Sequence, residues 1–307
     1  MSFENHAGIC ISNSKLQVVE VNYKREQFFL ENIDEAYFNE PIDFEKDKTT
    51  KISALLQGAF NELLVRKALN STSVSFTLPF QYFYMMQIPY DNTLLHNDLL
   101  EEFRWEFSVL YPFLSVKHLA IQYIELDKNE IIQYNTALAV ALPRKFIQLL
   151  QNFCTQNNLN LRYVDNLHSA SDRALTVSQP LAEKGAVLSA YIGNKHLSVI
   201  IHLYGYPVYF KIIPLTDASE LPQHFIDILT SKPSMNINKN MIEAAYITGN
   251  HLSNSMVQTL RKAVGIDFIQ FNPFNKIKPM PALFENNLYN EKSNTFASAA
   301  GIAFRLA

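Results

Sequence analysis

A chain of 307 residues, 48% hydrophobic and 18% charged, has the make-up of a folded globular protein and can bury one large core or two ordinary ones. A net charge of −3, with no basic cluster interleaved with aromatics, excludes the electrostatic footprint of a nucleic-acid binder. Cys10 and Cys154 are too few for a disulfide framework, no apolar run reaches the ~18 residues of a membrane span, and the start MSFENHAGIC lacks the order of a signal peptide, so a soluble cytoplasmic chain is expected.

In chain order, residues 7–31 read as a strand meander: Gly8-Ile9-Cys10-Ile11, a turn at Ser12-Asn13-Ser14, then Leu16–Val21 and Gln27–Leu30. Glu35–Asp47 is a polar connection, and Lys51–Leu69 a helix with Ile52, Leu56, Phe60 and Leu63 on one stripe. Ser73–Leu78 is a strand ended by Pro79. Phe80–Ile88 is extended and apolar on both faces, so either both are buried or one meets a partner. Asp91–Tyr111 carries a long helix with Leu95, Leu99, Phe103 and Phe107 at i+4 steps. Leu119–Leu126 and Tyr134–Leu142 are strands. Pro143 opens a helix to about residue 157, Asn166 caps another to about 177, and 178–184 marks a boundary.

Gly185–Pro214 is a second meander, with turns at Gly193-Asn194 and Tyr204-Gly205-Tyr206-Pro207. Along its middle strand Leu197, Val199, Ile201 and Leu203 share one face, and His196, Ser198 and His202 lie opposite beside Ile200. Two meander-led halves predict two lobes of similar design. A helix over 219–229, a strand Ala244–Thr248, a helix capped by Ser253 and ended by Gly265, a strand Asp267–Phe271 and a tightly packed terminal helix over 293–306 complete a mixed α/β chain.

Positive signs of catalysis are weak. His196 and His202 stand six apart in one strand, about 20 Å at ~3.3 Å per residue, so they cannot share a metal and read as surface or turn histidines. Asp98, Glu101, Glu102 and Glu106 read as a solvated acidic face, Trp105 as a core aromatic and Cys10 as a buried thiol. There is no GxSxG, Walker A loop or GxGxxG, and eight glycines are under half the ~7% average, few for building backbone phosphate cradles.

The order of pieces is nonetheless distinctive. Phe103-Arg104-Trp105-Glu106 followed by Tyr111-Pro112-Phe113 is similar to the helix bearing a W-E pair and ending in P-F in the PilM-like members of the actin-like ATPase superfamily, the cytoplasmic scaffolds of type IV pilus assembly. Val164-Asp165 before Ala170…Ala174-Leu175, Ile247-Thr248-Gly249-Asn250, and the ending Phe271-Asn272-Pro273-Phe274 with Ala299-Ala300-Gly301 fall in that family's order over nearly the whole chain. The resemblance implies a two-lobed actin-like ATPase (ribonuclease H-like) fold. It implies lobes at 1–178 and 179–307, an inserted subdomain at about 84–142 in the first lobe, and a terminal helix packing back toward the cleft.

By the same resemblance, a nucleotide cleft would lie at Ser12, Asn13, Ser14, Gly193, Asn194, Lys195, Gly249 and Asn250. Cys10 and Tyr191 stand where the family carries its two aspartates, Ser12 where it carries glycine, and Asn250 replaces a second glycine. A thiol and a phenol, neutral at pH 7, cannot replace carboxylates as Mg²⁺ ligands. The expectation is a vestigial, pseudo-ATPase site with no cofactor and no metal. The function implied is a non-catalytic scaffold of a pilus- or secretion-type assembly, which docks the cytoplasmic tail of a membrane-anchored protein and is held peripheral to the inner membrane by it. An ATP- and Mg²⁺-using actin-like protein and a divergent small-molecule kinase stay open, the latter needing a carboxylate for which Asp165 is the nearest candidate. Homo-oligomerisation stays open too.

Overall fold

A computed structural model describes residues 5–232, 234–249 and 252–305. The first meander forms as β1 (His6–Ile11), β2 (Lys15–Lys24) and β3 (Gln27–Tyr37), the last ending just inside the expected polar connection. After α1 (Thr49–Arg66) come β4 (Ser73–Leu78), β5 (Tyr84–Pro89), α2 (His96–Leu110), β6 (Leu119–Leu126) and β7 (Thr136–Pro143). The stretch expected to be extended from Phe80 instead makes a single 3₁₀ turn at Phe80–Tyr82 before β5 begins. Next follow α3 (Arg144–Gln156), β8 (Asn160–Asn166) and α4 (Leu167–Ser178), which starts where the Asn166 side chain accepts the N–H groups of His168 and Ser169. The second meander is β9 (Ala186–Ile192), β10 (His196–Leu203) and β11 (Tyr206–Pro214), followed by α5 (Leu221–Ile228) and β12 (Ile242–Gly249). In α6 (Asn254–Val264) Ser253 caps one end and left-handed Gly265 closes the other. β13 (Phe268–Gln270), β14 (Lys278–Pro279), α7 (Asn287–Glu291) and α8 (Ala297–Ala303) finish the chain.

The contacts divide the chain into two units: residues 1–82, 145–179 and 271–307, and residues 83–144 with 180–270. In the first, a mixed sheet runs β14-β3-β2-β1-β4-β8. One face packs on α1 and α3, where Phe153 meets Phe60 and Phe76 edge-on. The other face takes α8, laid so close to β1 that a Cβ on Gly8 would come within 2.1 Å of the Ala299 carbonyl oxygen. Residues 271–307, expected in the second lobe, therefore belong to this unit. The small side chains of α8 (ASAAGIA) fit against α4 and β1 as larger ones would not.

In the second unit a sheet ordered β11-β10-β9-β12-β13 buries Leu197, Val199, Ile201 and Leu203 against Phe225 of α5 and Leu260 of α6. The small sheet β5-β7-β6 carries α2 on one face, through Leu99, Phe103 and Phe107. Its other face puts Leu126 and Leu138 on Ile200 and Phe210. Residues 83–144 thus interrupt the chain of the first unit, as an inserted segment does, while packing within the second. The covering sheet is the reason His202 is not the surface histidine its alternation suggested: it is buried, as is Ser198. His196, at the start of β10, is half-buried, its pKa lowered by burial and by the charge of Lys195.

Candidate functional site

The β1–β2 turn of the first unit is closed on itself. Ser12 Oγ accepts the N–H groups of Lys15 (3.0 Å) and Ser14 (3.3 Å) and donates to the Lys15 carbonyl at 3.1 Å, while the Ser12 N–H donates to that carbonyl at 2.9 Å. The outward carbonyls are engaged as well, Ser14 by the N–H of Phe38 and Asn13 by that of Ile42, both at 2.8 Å. In phosphate-binding hairpins the backbone N–H groups of the turn point at the anion. Here those of Ser14 and Lys15 point at a serine hydroxyl. The Lys15 ammonium is 2.6 Å from Glu35 Oε2, which also accepts from Gln17 at 3.1 Å. Burial alone would raise the Glu35 carboxyl, yet the hydrogen bond and charge of Lys15 hold it below its ordinary value.

A cross-strand row lies beneath the turn. Cys10 stands opposite Gln17 on β2 and Thr77 on β4, and Thr77 opposite Asp165 on β8. Burial pushes the Cys10 thiol up to about 11, against the Thr77 hydrogen bond and the Lys15 charge, so it is a neutral thiol at neutral pH. Asp165 is committed elsewhere: its Oδ2 lies 3.4 Å from Arg305 Nη1 and 3.6 Å from Arg173 Nη2, and its Oδ1 accepts the Asn166 N–H at 2.9 Å. The Arg305 guanidinium also stacks over Tyr163, 4.1 Å from the ring centroid. Burial holds the Asp165 carboxyl above its ordinary value, against the opposing charges of the two guanidiniums. A carboxylate shared by two arginines is an anchor and a poor general base. Nothing local announced this cluster, since Arg305 comes 140 residues after its partner.

In the second unit the remaining residues do gather. Gly249 is the parallel partner of Ile192, so Gly193, Asn194, Lys195 and Gly249 sit together at the carboxyl ends of β9 and β12, where open α/β sheets bind ligands. The glycine at 249 is obligatory, with φ at +139° and a Cβ that would fall 2.0 Å from the Ile192 carbonyl oxygen. The Gly193 N–H closes the hairpin onto the His196 carbonyl at 2.8 Å, leaving the Asn194 and Lys195 side chains exposed. Tyr191 is buried under the turn. Asn250 lies outside the described residues. Among those described, no group of three His, Cys, Asp or Glu side chains could hold a metal ion, and no helix is long and apolar enough to cross a membrane.

One expectation about a prominent residue fails. Trp105 is 62% exposed, and Val109, Leu110 and Phe113 further along are exposed too. Phe103 and Phe107 already occupy the buried stripe of α2. At 100° per residue, position 105 points about 200° away from 103, to the solvent side. Of the acidic face expected on the same helix, Asp98 and Glu101 are exposed, while Glu102 and Glu106 are half-buried.

No family model and no curated protein matches the sequence. Solved structures do match the fold. A chain of a structure described as a PilM–PilN type IV pilus biogenesis complex superposes with a TM-score of 0.71 at 17% identity, covering 98% of each chain. A Bacteroides thetaiotaomicron protein described as having an actin-like ATPase fold and unknown function gives 0.57 at 12% identity over 99% of this chain and 97% of that one. The ethanolamine utilization protein EutJ from Carboxydothermus hydrogenoformans gives 0.52 at 7% over 98% and 89%. The likeness read from Trp105-Glu106 and Pro112-Phe113 is thus matched by a likeness of fold over the full length, and the chain has the actin-like ATPase fold.

Proposed function

We propose that this chain is a non-catalytic actin-like scaffold, cytoplasmic and held at the inner membrane by a partner, in an assembly of the pilus or secretion type. The observation that carries the non-catalytic half is the β1–β2 turn, whose Ser14 and Lys15 N–H groups bond to Ser12 Oγ above a neutral Cys10. The residues present do not fit Mg-ATP: the turn offers no carboxylate for a hard cation, and Asp165 is held by Arg173 and Arg305. The assembly half is supported by the full-length match to a structure whose description pairs PilM with PilN. In this reading the protein acts by recruiting a partner's cytoplasmic tail, with no turnover.

Thermal unfolding with and without millimolar Mg-ATP tests the first half. A ligand at ~100 times its Kd adds ~2.7 kcal/mol, so a working site would raise Tm by several degrees. No shift is expected, and a clear Mg-dependent rise overturns the reading. Titration with the cytoplasmic peptide of a single-pass membrane protein encoded beside this gene tests the second half, and saturable binding is expected.

A further inference from the structure

Sheet edges are templates for pairing with another chain, and proteins that stay monomeric shorten, charge or cover them. Among the described residues most edges of this molecule are managed in such ways. β14 has two residues and β13 three. β8 carries Arg162 and Asp165, with Arg305 over its Tyr163. The free side of β11 is capped by Gln87 of β5, whose amide donates to the Val208 carbonyl and accepts the Phe210 N–H.

β6 is different. It pairs with β7 through all eight residues, and apart from the Leu119 N–H, which donates to the Val116 carbonyl, no strand or backbone hydrogen bond is found on its other side among the described residues. Its sequence, LAIQYIEL, holds no proline and a single charge, Glu125. Gln122 is exposed and Ile124 is 56% exposed, on the face that also carries Leu126. Alternate N–H and C=O groups of such an edge point outward and await partners.

We propose that β6 is a dimerisation edge, on which a second copy of this chain pairs antiparallel about a two-fold axis beside Gln122. The ends of the strand carry opposite charge: exposed Lys117 and His118 precede it, Glu125 lies within it, and Asp127 follows, with Lys128 beyond. With Gln122 opposite itself, Ala120 faces Ile124 of the second copy, and the basic turn Val116–His118 of each copy comes beside the acidic end of the other, Glu125 and Asp127, each contact made twice by symmetry. A parallel arrangement would set Glu125 against Glu125 and Asp127 against Asp127. A two-fold axis normal to the sheet keeps side chains on their own faces, so each exposed Ile124 is covered beside the other copy's Ala120. This inference stands apart from the scaffold reading.

Sedimentation of the full chain across about 1–200 µM tests it, because eight residues of edge are at the small end of interfaces and fit a micromolar dimer. Wild type is expected to dimerise and Ile124→Lys to be monomeric throughout. Lys117→Asp and Asp127→Lys are each expected to weaken the dimer about tenfold, and the double exchange to restore it. All three positions are exposed, and unchanged melting confirms that the variants fold. A wild-type monomer at every concentration overturns the proposal, as does a dimer indifferent to all four variants or a charge exchange without rescue.

Discussion

Gln87 and Phe210 are joined as two strands would be: the side-chain Oε1 of Gln87 accepts the Phe210 N–H at 2.8 Å, and its Nε2 donates to the carbonyl of Val208 at 3.0 Å. A single amide side chain thus reproduces both ladder bonds that a further strand would make to β11, and fastens the small sheet to the large one. The same Nε2 donates to Thr136 at 2.9 Å.

Gln87→Ala leaves the Phe210 N–H and Val208 carbonyl without these partners, a loss of about 1–3 kcal/mol. Urea unfolding should show the lower midpoint. Gln87→Glu keeps the acceptor and loses the donor, setting a carboxylate against the Val208 carbonyl, and should be no better. A midpoint unchanged in both variants would mean that the sheets are held by Ile200, Phe210, Leu126 and Leu138 alone.

Gly301 marks the contact of α8 with α4. A Cβ there would lie 1.6 Å from the Ala170 carbonyl oxygen and 3.0 Å from the Ala174 nitrogen, both backbone atoms that no rotamer change can move. Gly301→Ala must push the helices apart and is expected to destabilise by at least the about 1–3 kcal/mol of core overpacking. Gly58, on α1 with nothing within 4 Å of its Cβ position, is the control. Gly58→Ala should raise stability by roughly 0.5–1 kcal/mol, because alanine is the better helix former.

Much of this architecture is legible in the sequence. Period-two and period-3.6 patterns locate the meanders and helices, and Asn166, Ser253 and Gly265 mark ends for which the local chemistry is sufficient. What periodicity cannot say is whether the second face of an element is covered. Alternation alone leaves His202 at the surface because the sheet that covers its face comes from residues 84–143, and hydrophobicity alone places Trp105 in the core against its angle on α2. The candidate site was legible as a row of positions. That Ser12 would consume the turn's donors, or that Arg173 and Arg305 would both claim Asp165, depends on geometry between distant residues.

His6 gives the fold a pH dependence. A carbonyl can only accept, so its Nδ1–H donates to Ala303 at 2.9 Å and its Nε2 accepts from Ser75 Oγ, also at 2.9 Å. Ser75 Oγ accepts the Tyr163 N–H in turn, at 3.2 Å. This relay of neutral groups ties α8, β1, β4 and β8 together. Burial lowers the His6 pKa, the Ala303 hydrogen bond opposes that and the Arg162 charge adds to it. The unfolded chain therefore binds the proton more readily. The stabilisation is complete above the ordinary value of about 6.5 and is lost as pH falls through the lower folded value. Urea midpoints should drop from pH 7.5 toward 5.5, and His6→Gln should flatten that part of the profile.

Asp165 separates an anchor from a catalyst. Asp165→Asn removes the charge shared by Arg173 and Arg305 and leaves two half-buried guanidiniums facing a neutral amide. The guanidiniums keep some solvent, so the cost is expected to be about 1–3 kcal/mol, below that of breaking a fully buried pair. Arg305→Met should lose less, because Arg173 still neutralises the carboxylate. Adding Arg305→Met to Asp165→Asn should then cost little more, since the interaction is already gone. Strict additivity in that double-mutant cycle would mean that Asp165 does not hold the end of the chain, and would return it to the list of groups free for chemistry.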